Sequence, residues 1–385
     1  MTNVGKIKNC FGCGVCAVIC PKKIIDINLN RDGFYEPTIV DGEKCINCGL
    51  CIKVCAYSQE TGISKASIPI KSWGAWSNDN NVRLKCSSGG IGFEIAKQLL
   101  NFDYKVCGVR YNPTSSIAEH FICENVEDLY STMGSKYIQS YTVDGFRSIN
   151  RKNRYLVIGT PCQIDSFRRY IQTLKIEDNF ILMDFFCHCV PSMLAWQQYI
   201  KFVQSKIGCI YDVSWRNKNT GWHDSWAMGI NVVKDKFVSK ENLSEFQYYS
   251  RLSKGDLFYK LFLGDICLNR ACSKNCKYKY NHSSADIRIG DLWGNKFKNE
   301  EKGVSALVAF TEKGKSIVES LHNVHLENLS FETVAEGQML TNAKPKFLTP
   351  IFMFMLRHKF SLTSVPFKLV LFSQRVINKI NSILK

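Results

Sequence analysis

Apolar and polar positions recur at two periods along this chain. Ile24, Ile25 and Ile27, then Phe34, Tyr35, Ile39 and Val40, flank Asp32-Gly33, and this arrangement predicts a β-hairpin. Residues 61–85 have the Ser, Gly and Lys content of a linker. Beyond them, apolar runs at 106–110, 155–158, 179–186, 287–289 and 305–310 read as strands. Between these, helical spacing appears at 91–100, at Ile164, Phe167, Ile171 and Leu174, at 191–207 and around 315–321. Pro191 suits the first position of the third of these helices. Strands alternating with helices predict an α/β body. From Thr349 onward the period is helical again, with Leu369, Phe372, Val376, Ile380 and Ile383 on one stripe and Lys368, Arg375 and Lys379 on other faces.

Cysteine spacing changes this picture most. Cys10, Cys13, Cys16 and Cys20, followed by Pro21, repeat as Cys45, Cys48, Cys51 and Cys55 at an offset of 35 residues. Both runs read C-x2-C-x2-C-x3-C, the spacing that wraps three thiolates round one corner of an iron–sulfur cube and directs the fourth to the other cube. One [4Fe-4S] cluster is therefore expected on Cys10, Cys13, Cys16 and Cys55, and a second on Cys45, Cys48, Cys51 and Cys20. Gly12, Gly14 and Gly49 supply backbone that can fold tightly there. Zinc sites use two separated Cys pairs, and a disulfide framework needs export; neither fits. Ala56 stands where the second run would carry a Pro. Residues 1–60 thus form an α+β bacterial-type two-cluster ferredoxin module.

Eighteen cysteines in 385 residues, with no apolar export segment at the start, point to a reducing compartment. No apolar run approaches the roughly 18 residues of a spanning helix, so a cytoplasmic chain is expected. The formal charge of +16 is partly cancelled by clusters of about −2 each, and the basic residues are scattered, so nucleic acid is not expected as a partner. The tail 346–385 concentrates the remaining excess: from Thr349 it holds six Lys or Arg and no Asp or Glu. Such a helix either docks on its own domain, the reading preferred here, or makes peripheral contact with an anionic membrane.

Two helix starts in the body are candidate ligand sites. Thr160, Pro161 and Gln163 have the pattern of a capping box after the strand ending at Ile158, and Cys162 in that first turn is expected to have a lowered thiol pKa. Ser87, Ser88, Gly89 and Gly90 precede the helical run 91–100. Free amides at either start can hold phosphate. Cys267, Cys272 and Cys276, with Cys187 or Cys189 upstream, suit a further [4Fe-4S] cluster, and zinc would accept the same set. Asp291 and Trp293 flank a turn that could line a cofactor pocket.

Joined in order, Ser87-Ser-Gly-Gly90, the stretch 134–140, Gly159-Thr-Pro-Cys-Gln163, Cys187-His-Cys-Val-Pro-Ser192, Gly221-Trp222 and Gly290-Asp-Leu-Trp-Gly294 resemble the coenzyme F(420) hydrogenase/dehydrogenase beta-subunit family with an N-terminal ferredoxin domain. The resemblance runs from Cys10 to about residue 325. It extends to 7-hydroxymethyl chlorophyll a reductase of plants and to bacterial members found with surface-polysaccharide genes. It implies an FAD and iron–sulfur reductase body over 86–345, in parts of about 86–165 and 166–345. It also implies a third [4Fe-4S] cluster on Cys187, Cys267, Cys272 and Cys276. FAD would be held by Ser87, Ser88, Gly89, Gly90, Lys136, Gly159, Thr160, Pro161, Cys162, Gln163, Asp291 and Trp293. Cys189 stands where the family has Gly. The expected function is an iron–sulfur flavoprotein oxidoreductase with a redox partner, an unspecified small-molecule substrate and no assigned catalytic proton donor. The alternative is an electron-transfer subunit feeding a partner enzyme. A radical-SAM enzyme is disfavoured, because no C-x3-C-x2-C run occurs.

Overall fold

The computed structural model describes residues 3–58, 68–232 and 246–383. Strands β1 (Ile25–Leu29) and β2 (Tyr35–Ile39) pair antiparallel as the predicted hairpin, which closes through Gly33 at φ 76°. Short helices Val15–Ile19 and Leu50–Lys53 each follow a left-handed glycine, Gly14 at φ 75° and Gly49 at φ 72°. A side chain would disfavour that conformation, so the repeated glycine sets where each cysteine run turns into helix.

The body contains β3 (Lys71–Ser77), β4 (Tyr104–Asn112), β5 (Ile117–Cys123), β6 (Ser140–Tyr141), β7 (Arg154–Ile158), β8 (Phe180–Phe185), β9 (Ile210–Ser214), β10 (Ala227–Val232), β11 (Tyr248–Arg251), β12 (Ile287–Asp291), β13 (Ser305–Ala309) and β14 (Val324–Asn328). Nine of them form one mixed sheet in the order β14-β3-β13-β12-β8-β7-β4-β5-β6. Its centre, β12-β8-β7-β4, is parallel. Antiparallel strands flank it on both sides. Strands β9, β10 and β11 make a separate antiparallel sheet. The five strands expected in the body correspond to β4, β7, β8, β12 and β13.

The expected linker 61–85 needs correction. Residues 61–67 lie outside the described residues, but Lys71–Ser77 is an inner strand between β13 and β14, and Asn80–Lys85 is a helix. The strand is buried on both faces, so it lacks the alternation that marks a half-exposed strand. Its small residues are there for packing: a Cβ at Gly74 would lie 3.0 Å from Leu329 and 3.2 Å from Leu292. The helix expected from Pro191 begins at Met193, because Ser192 caps it by accepting from Leu194 N at 3.1 Å, while Pro191 bridges to Leu268.

Side chains alternate across the large sheet. Phe180, Leu182, Tyr155 and Val157 face the helix Pro161–Leu174, and this core continues into Val15, Ile19, Ile24 and Val54 of the ferredoxin module. Ile181, Met183, Leu156 and Leu307 face the helix Ile91–Asn101. The module therefore shares its apolar core with the body rather than closing one of its own.

The tail forms two helices, Thr349–Arg357 and Val365–Ile383. Phe352, Leu356, Phe367 and Leu371 enter a third core with Trp196 and Tyr199, so the tail docks. The docked face of the last helix carries Phe367, Leu371 and Gln374. The stripe Leu369, Phe372, Val376, Ile380 and Ile383 points away from that face and is exposed.

Candidate functional site

In the module, Cys55 stands with Cys10, Cys13 and Cys16, while Cys20 joins Cys48 and Cys51. Burial pushes the Cys10 thiol up to about 12, and Cys13 and Cys55 beside it add to the rise. Burial likewise pushes Cys13 up to about 11, with Cys55 adding to it, and holds Cys16 well above the thiol range. For Cys51 burial again raises the thiol, and here the neighbouring thiols are Cys20 and Cys48. Among the described residues no three His, Cys, Asp or Glu side chains converge as ligands of a single ion would. Cys20, Cys45, Cys48 and Cys51 stand instead around a hollow closed by Ile25, Ile39 and Leu50. Buried thiols become ligands once a cationic centre takes up their charge, and an iron–sulfur cube fits four thiols grouped round a space.

The departure at Ala56 has a structural reason. Its amide donates to Ser166 Oγ at 3.1 Å in a buried contact. Proline has no N–H to give. Ser166 Oγ also meets Cys13 Sγ at 3.2 Å, so a single hydroxyl of the body touches the first cysteine run and the residue that follows the second. Asn269 Nδ2 donates to Cys10 O at 3.2 Å, and Thr142 Oγ1 to Cys13 O at 2.9 Å.

A second thiol group lies in the body. Cys162 comes from the first turn of Pro161–Leu174, Cys187 and Cys189 from the segment after β8, and Cys272 and Cys276 from or just beyond the short helix Arg270–Lys274. Cys162 is raised well above the thiol range, first by burial and then by Cys272, with Cys187 and Cys13 contributing. The lowered pKa expected for it is therefore reversed: desolvation of a buried thiol outweighs the helix start. Cys187 is pushed up to about 12 by burial, with Cys272 and Cys276 near it, and the Cys189 thiol bonds to Cys272.

Cys267 does not join them. It is fully buried among Trp196, Phe258 and other apolar side chains, and its carbonyl accepts from Ser192 N at 2.8 Å. No other thiol contributes to its raised pKa, which burial dominates. The thiol that the structure puts in the group is Cys162. Sequence spacing could not find it, because the helix that presents it lies more than 100 residues from Cys272.

Lys279 carried no signal in the sequence either. Its Nζ donates to Cys187 O at 2.6 Å and His188 O at 2.5 Å. Burial alone would lower its pKa, but the thiols of Cys187, Cys189, Cys276 and Cys272 around it hold it above the ordinary lysine value. A buried cation facing thiols suits an anionic centre. Phe11, next to Cys10 in the chain, and Tyr278 lie 6.0 Å apart between ring centroids and pack with Cys162 and Cys276.

Two of the body thiols, Cys187 and Cys189, stand on one wall of a cavity of about 400 Å³, in the range of small-molecule sites. Cys187, Cys189, Tyr278 and Lys279 line that wall. The predicted Ser87, Ser88, Gly90, Lys136, Gly159, Thr160, Gln163, Asp291 and Trp293 line the others. Gly89, Pro161 and Cys162 do not belong to the lining. A Cβ on Gly89 would sit 2.3 Å from Ala75 O, so this glycine serves strand contact. Cys162 points to the thiol group.

Several polar groups of the wall are already engaged. Gln163 Oε1 accepts from Thr160 N at 2.9 Å, the capping-box bond expected there. Lys136 Nζ donates to the carbonyls of Ser131, Met133 and Gly134 at 3.1, 2.9 and 3.0 Å, and burial pushes its pKa down to about 8. Asp291 accepts a two-point bond from Arg216 at 2.9 and 3.1 Å, and a third bond from Trp222 Nε1 at 3.0 Å. Trp293 stacks on Trp222 with centroids 5.0 Å apart. These residues build the wall and hold it.

Lys218 performs a similar service for the Ser-Gly turn. Its Nζ donates to Ser88 O at 2.5 Å, and to Arg83 O and Lys302 O at 2.7 Å each. The helix Ile91–Asn101 then opens on the cavity through Ile91, Gly92 and Phe93. His188, also on the wall, bonds Asp265 at 2.8 Å.

Comparison with known proteins gives the following. Residues 152–332 match the family described as the C terminus of the coenzyme F420 hydrogenase/dehydrogenase beta subunit. Residues 9–58 match the 4Fe-4S dicluster domain. The chain is 27% identical over 337 residues to the coenzyme F420-dependent sulfite reductase of Methanocaldococcus jannaschii, covering 83% of this chain and 47% of that protein. It therefore spans about half the length of the curated relative. A chain of the F420-reducing [NiFe] hydrogenase complex from Methanosarcina barkeri aligns over 77% of this chain and 91% of its own length, at 14% identity and a TM-score of 0.45.

Proposed function

We propose that this chain, a member of the coenzyme F420 hydrogenase/dehydrogenase beta-subunit family preceded by a 4Fe-4S dicluster domain, is an iron–sulfur flavoprotein oxidoreductase. Its two N-terminal clusters would be held by Cys10, Cys13, Cys16 and Cys55, and by Cys45, Cys48, Cys51 and Cys20. A third would be held by Cys162, Cys187, Cys272 and Cys276, with Cys189 against the set. FAD would occupy the cavity between Ser87–Gly90 and Gly159–Gln163. Bound together, these groups supply one-electron transfer and its conversion to two-electron or hydride chemistry on a substrate.

One observation carries the reading. Cys162 feels the charge of Cys13 on the module side and of Cys272 and Cys187 on the body side, and Cys187 lies on the cavity wall, so the thiols follow one another from the module towards a ligand-sized space. The chain's own residues do the rest of the work. Phe11 and Tyr278 exclude water between the thiol groups, Lys279 offsets negative charge, and Lys218 and Arg216 fix the cavity walls.

The second reading, an electron-transfer subunit that feeds a partner enzyme, draws on the half-length match to the curated relative. Anaerobic purification with iron, sulfide and flavin quantified together separates the two. The flavoenzyme should carry about twelve irons and one flavin per chain. About eight irons with no flavin would overturn it, and a bound deazaflavin, recognised by its fluorescence, would replace FAD in the cavity.

A further inference from the structure

The helix Val365–Ile383 has two apolar faces, and the fold uses one. Phe367, Leu371 and Gln374 turn inward, where Phe352 packs on Phe367 at 5.4 Å and Leu348 N donates to Gln374 Oε1 at 2.8 Å. Val365, Leu369, Phe372, Val376, Ile380 and Ile383 are left between 41% and 73% exposed. At 100° per residue these six fall within a sector of about 80°, opposite the docked face. A stripe that narrow over nearly the whole helix differs from the scattered apolar exposure of ordinary surfaces.

The charges beside it have one sign. Lys368, Arg375 and Lys379 are exposed and lie along one flank of the stripe. Among the described residues no ion pair joins any of them to a carboxylate. The sequence has no Asp or Glu after Glu336. A second copy packed stripe to stripe would offer these basic flanks no acidic residue of its own tail, and an antiparallel pair would bring them together, which disfavours self-association. No described helix is long and apolar enough to cross a membrane. An apolar ridge with basic flanks, held to the body by its other face, has the make-up of a helix that lies in the headgroup layer.

We infer that this ridge seats the protein on an anionic phospholipid surface. The apolar stripe enters the headgroup boundary, and Lys368, Arg375 and Lys379 meet the lipid phosphates. The body stays in water, attached through the docked face of the same helix.

The test is flotation of the full chain with vesicles of phosphatidylcholine alone or with about 30% phosphatidylglycerol. Binding should be at least about tenfold stronger on the anionic vesicles and fall with added salt. Leu369→Ser/Phe372→Ser should lose at least about tenfold of it, and Lys368→Gln/Arg375→Gln/Lys379→Gln should remove the preference for phosphatidylglycerol. Unchanged iron content in both variants shows that the fold survives. Failure of the unaltered chain to float, or equal binding by the Ser variant, overturns the inference. So does a dimer in light scattering that the Ser variant abolishes, since a second copy would then cover the ridge. If vesicles do not bind but an acidic protein captures the ridge, the occupant is that protein and the lipid assignment fails.

Discussion

Arg288→Met perturbs a buried ion pair at the centre of the body's sheet. Arg288 and Asp184 face each other across the parallel pair β12 and β8, and both side chains are fully buried. Two bonds of 2.7 Å join them, from Nε to Oδ1 and from Nη2 to Oδ2. Ser283 Oγ gives Asp184 a third bond at 2.7 Å. The guanidinium also holds the carbonyls of Tyr280 and His282 at 2.7 and 2.9 Å. Removing the cation strands a buried carboxylate, which costs about 3–5 kcal/mol. Total stability of a domain is about 5–15 kcal/mol, so this single change removes a large share. Replacing both partners, as in Asp184→Leu/Arg288→Met, leaves no stranded charge and should recover at least half of the loss. The segment that loses its anchor follows Cys276 and Lys279, so Arg288→Met should also shed about four irons while the N-terminal module keeps its own. Anaerobic urea titration followed by tryptophan fluorescence, with iron assayed in parallel, reads both effects. If Arg288→Met lies within about 1 kcal/mol of the parent, or the double variant is no better than the single one, the account of this pair is wrong.

Other consequences are open to simpler measurements. Cys162→Ser should lose about four irons, and Cys267→Ser none, as read by iron assay and by electron paramagnetic resonance of the reduced chain. Ala56→Pro removes the donor to Ser166 and should lower stability by about 1–3 kcal/mol, visible as a lower melting temperature. Lys218→Met frees three carbonyls behind the Ser87–Gly90 turn, and flavin retained after gel filtration should fall about tenfold with iron unchanged. Burial holds His120 down at about 4, so its native imidazole is neutral while the unfolded chain binds a proton below about 6.5. Stability from this residue is complete above about pH 6.5 and is lost as pH falls towards 4, by about 3 kcal/mol. His120→Leu should flatten that slope in denaturation curves at about pH 6.5, 5.5 and 4.5, whatever its stability at neutral pH.

The cysteine runs were legible because three of the four thiols in each set are local: three within seven residues need only a glycine turn to meet. The hairpin and the central strands were legible for a similar reason, since their apolar runs need no distant partner to be recognised. Strand β3 was not, because a strand buried on both faces and lined with Gly and Ser loses the alternation that identifies strands. Spacing along the chain grouped Cys267 with Cys272 and Cys276, whereas the fold sends it into an apolar core away from them. Cys162 reaches the group from a helix whose place is set by packing on β7 and β8.

The sequence by itself determined the two N-terminal thiol sets, the glycines that shape them, and the apolar stripe with its basic flank in the tail. These depend on contacts between near neighbours. Tertiary structure decided which thiols gather in the body, that Cys187 and Cys189 line the same cavity as the Ser-Gly turn, and which face of the last helix is left outside. Those outcomes arise from long-range packing of one helix or strand on another, and a single pattern of residues is compatible with several such arrangements until the core is closed.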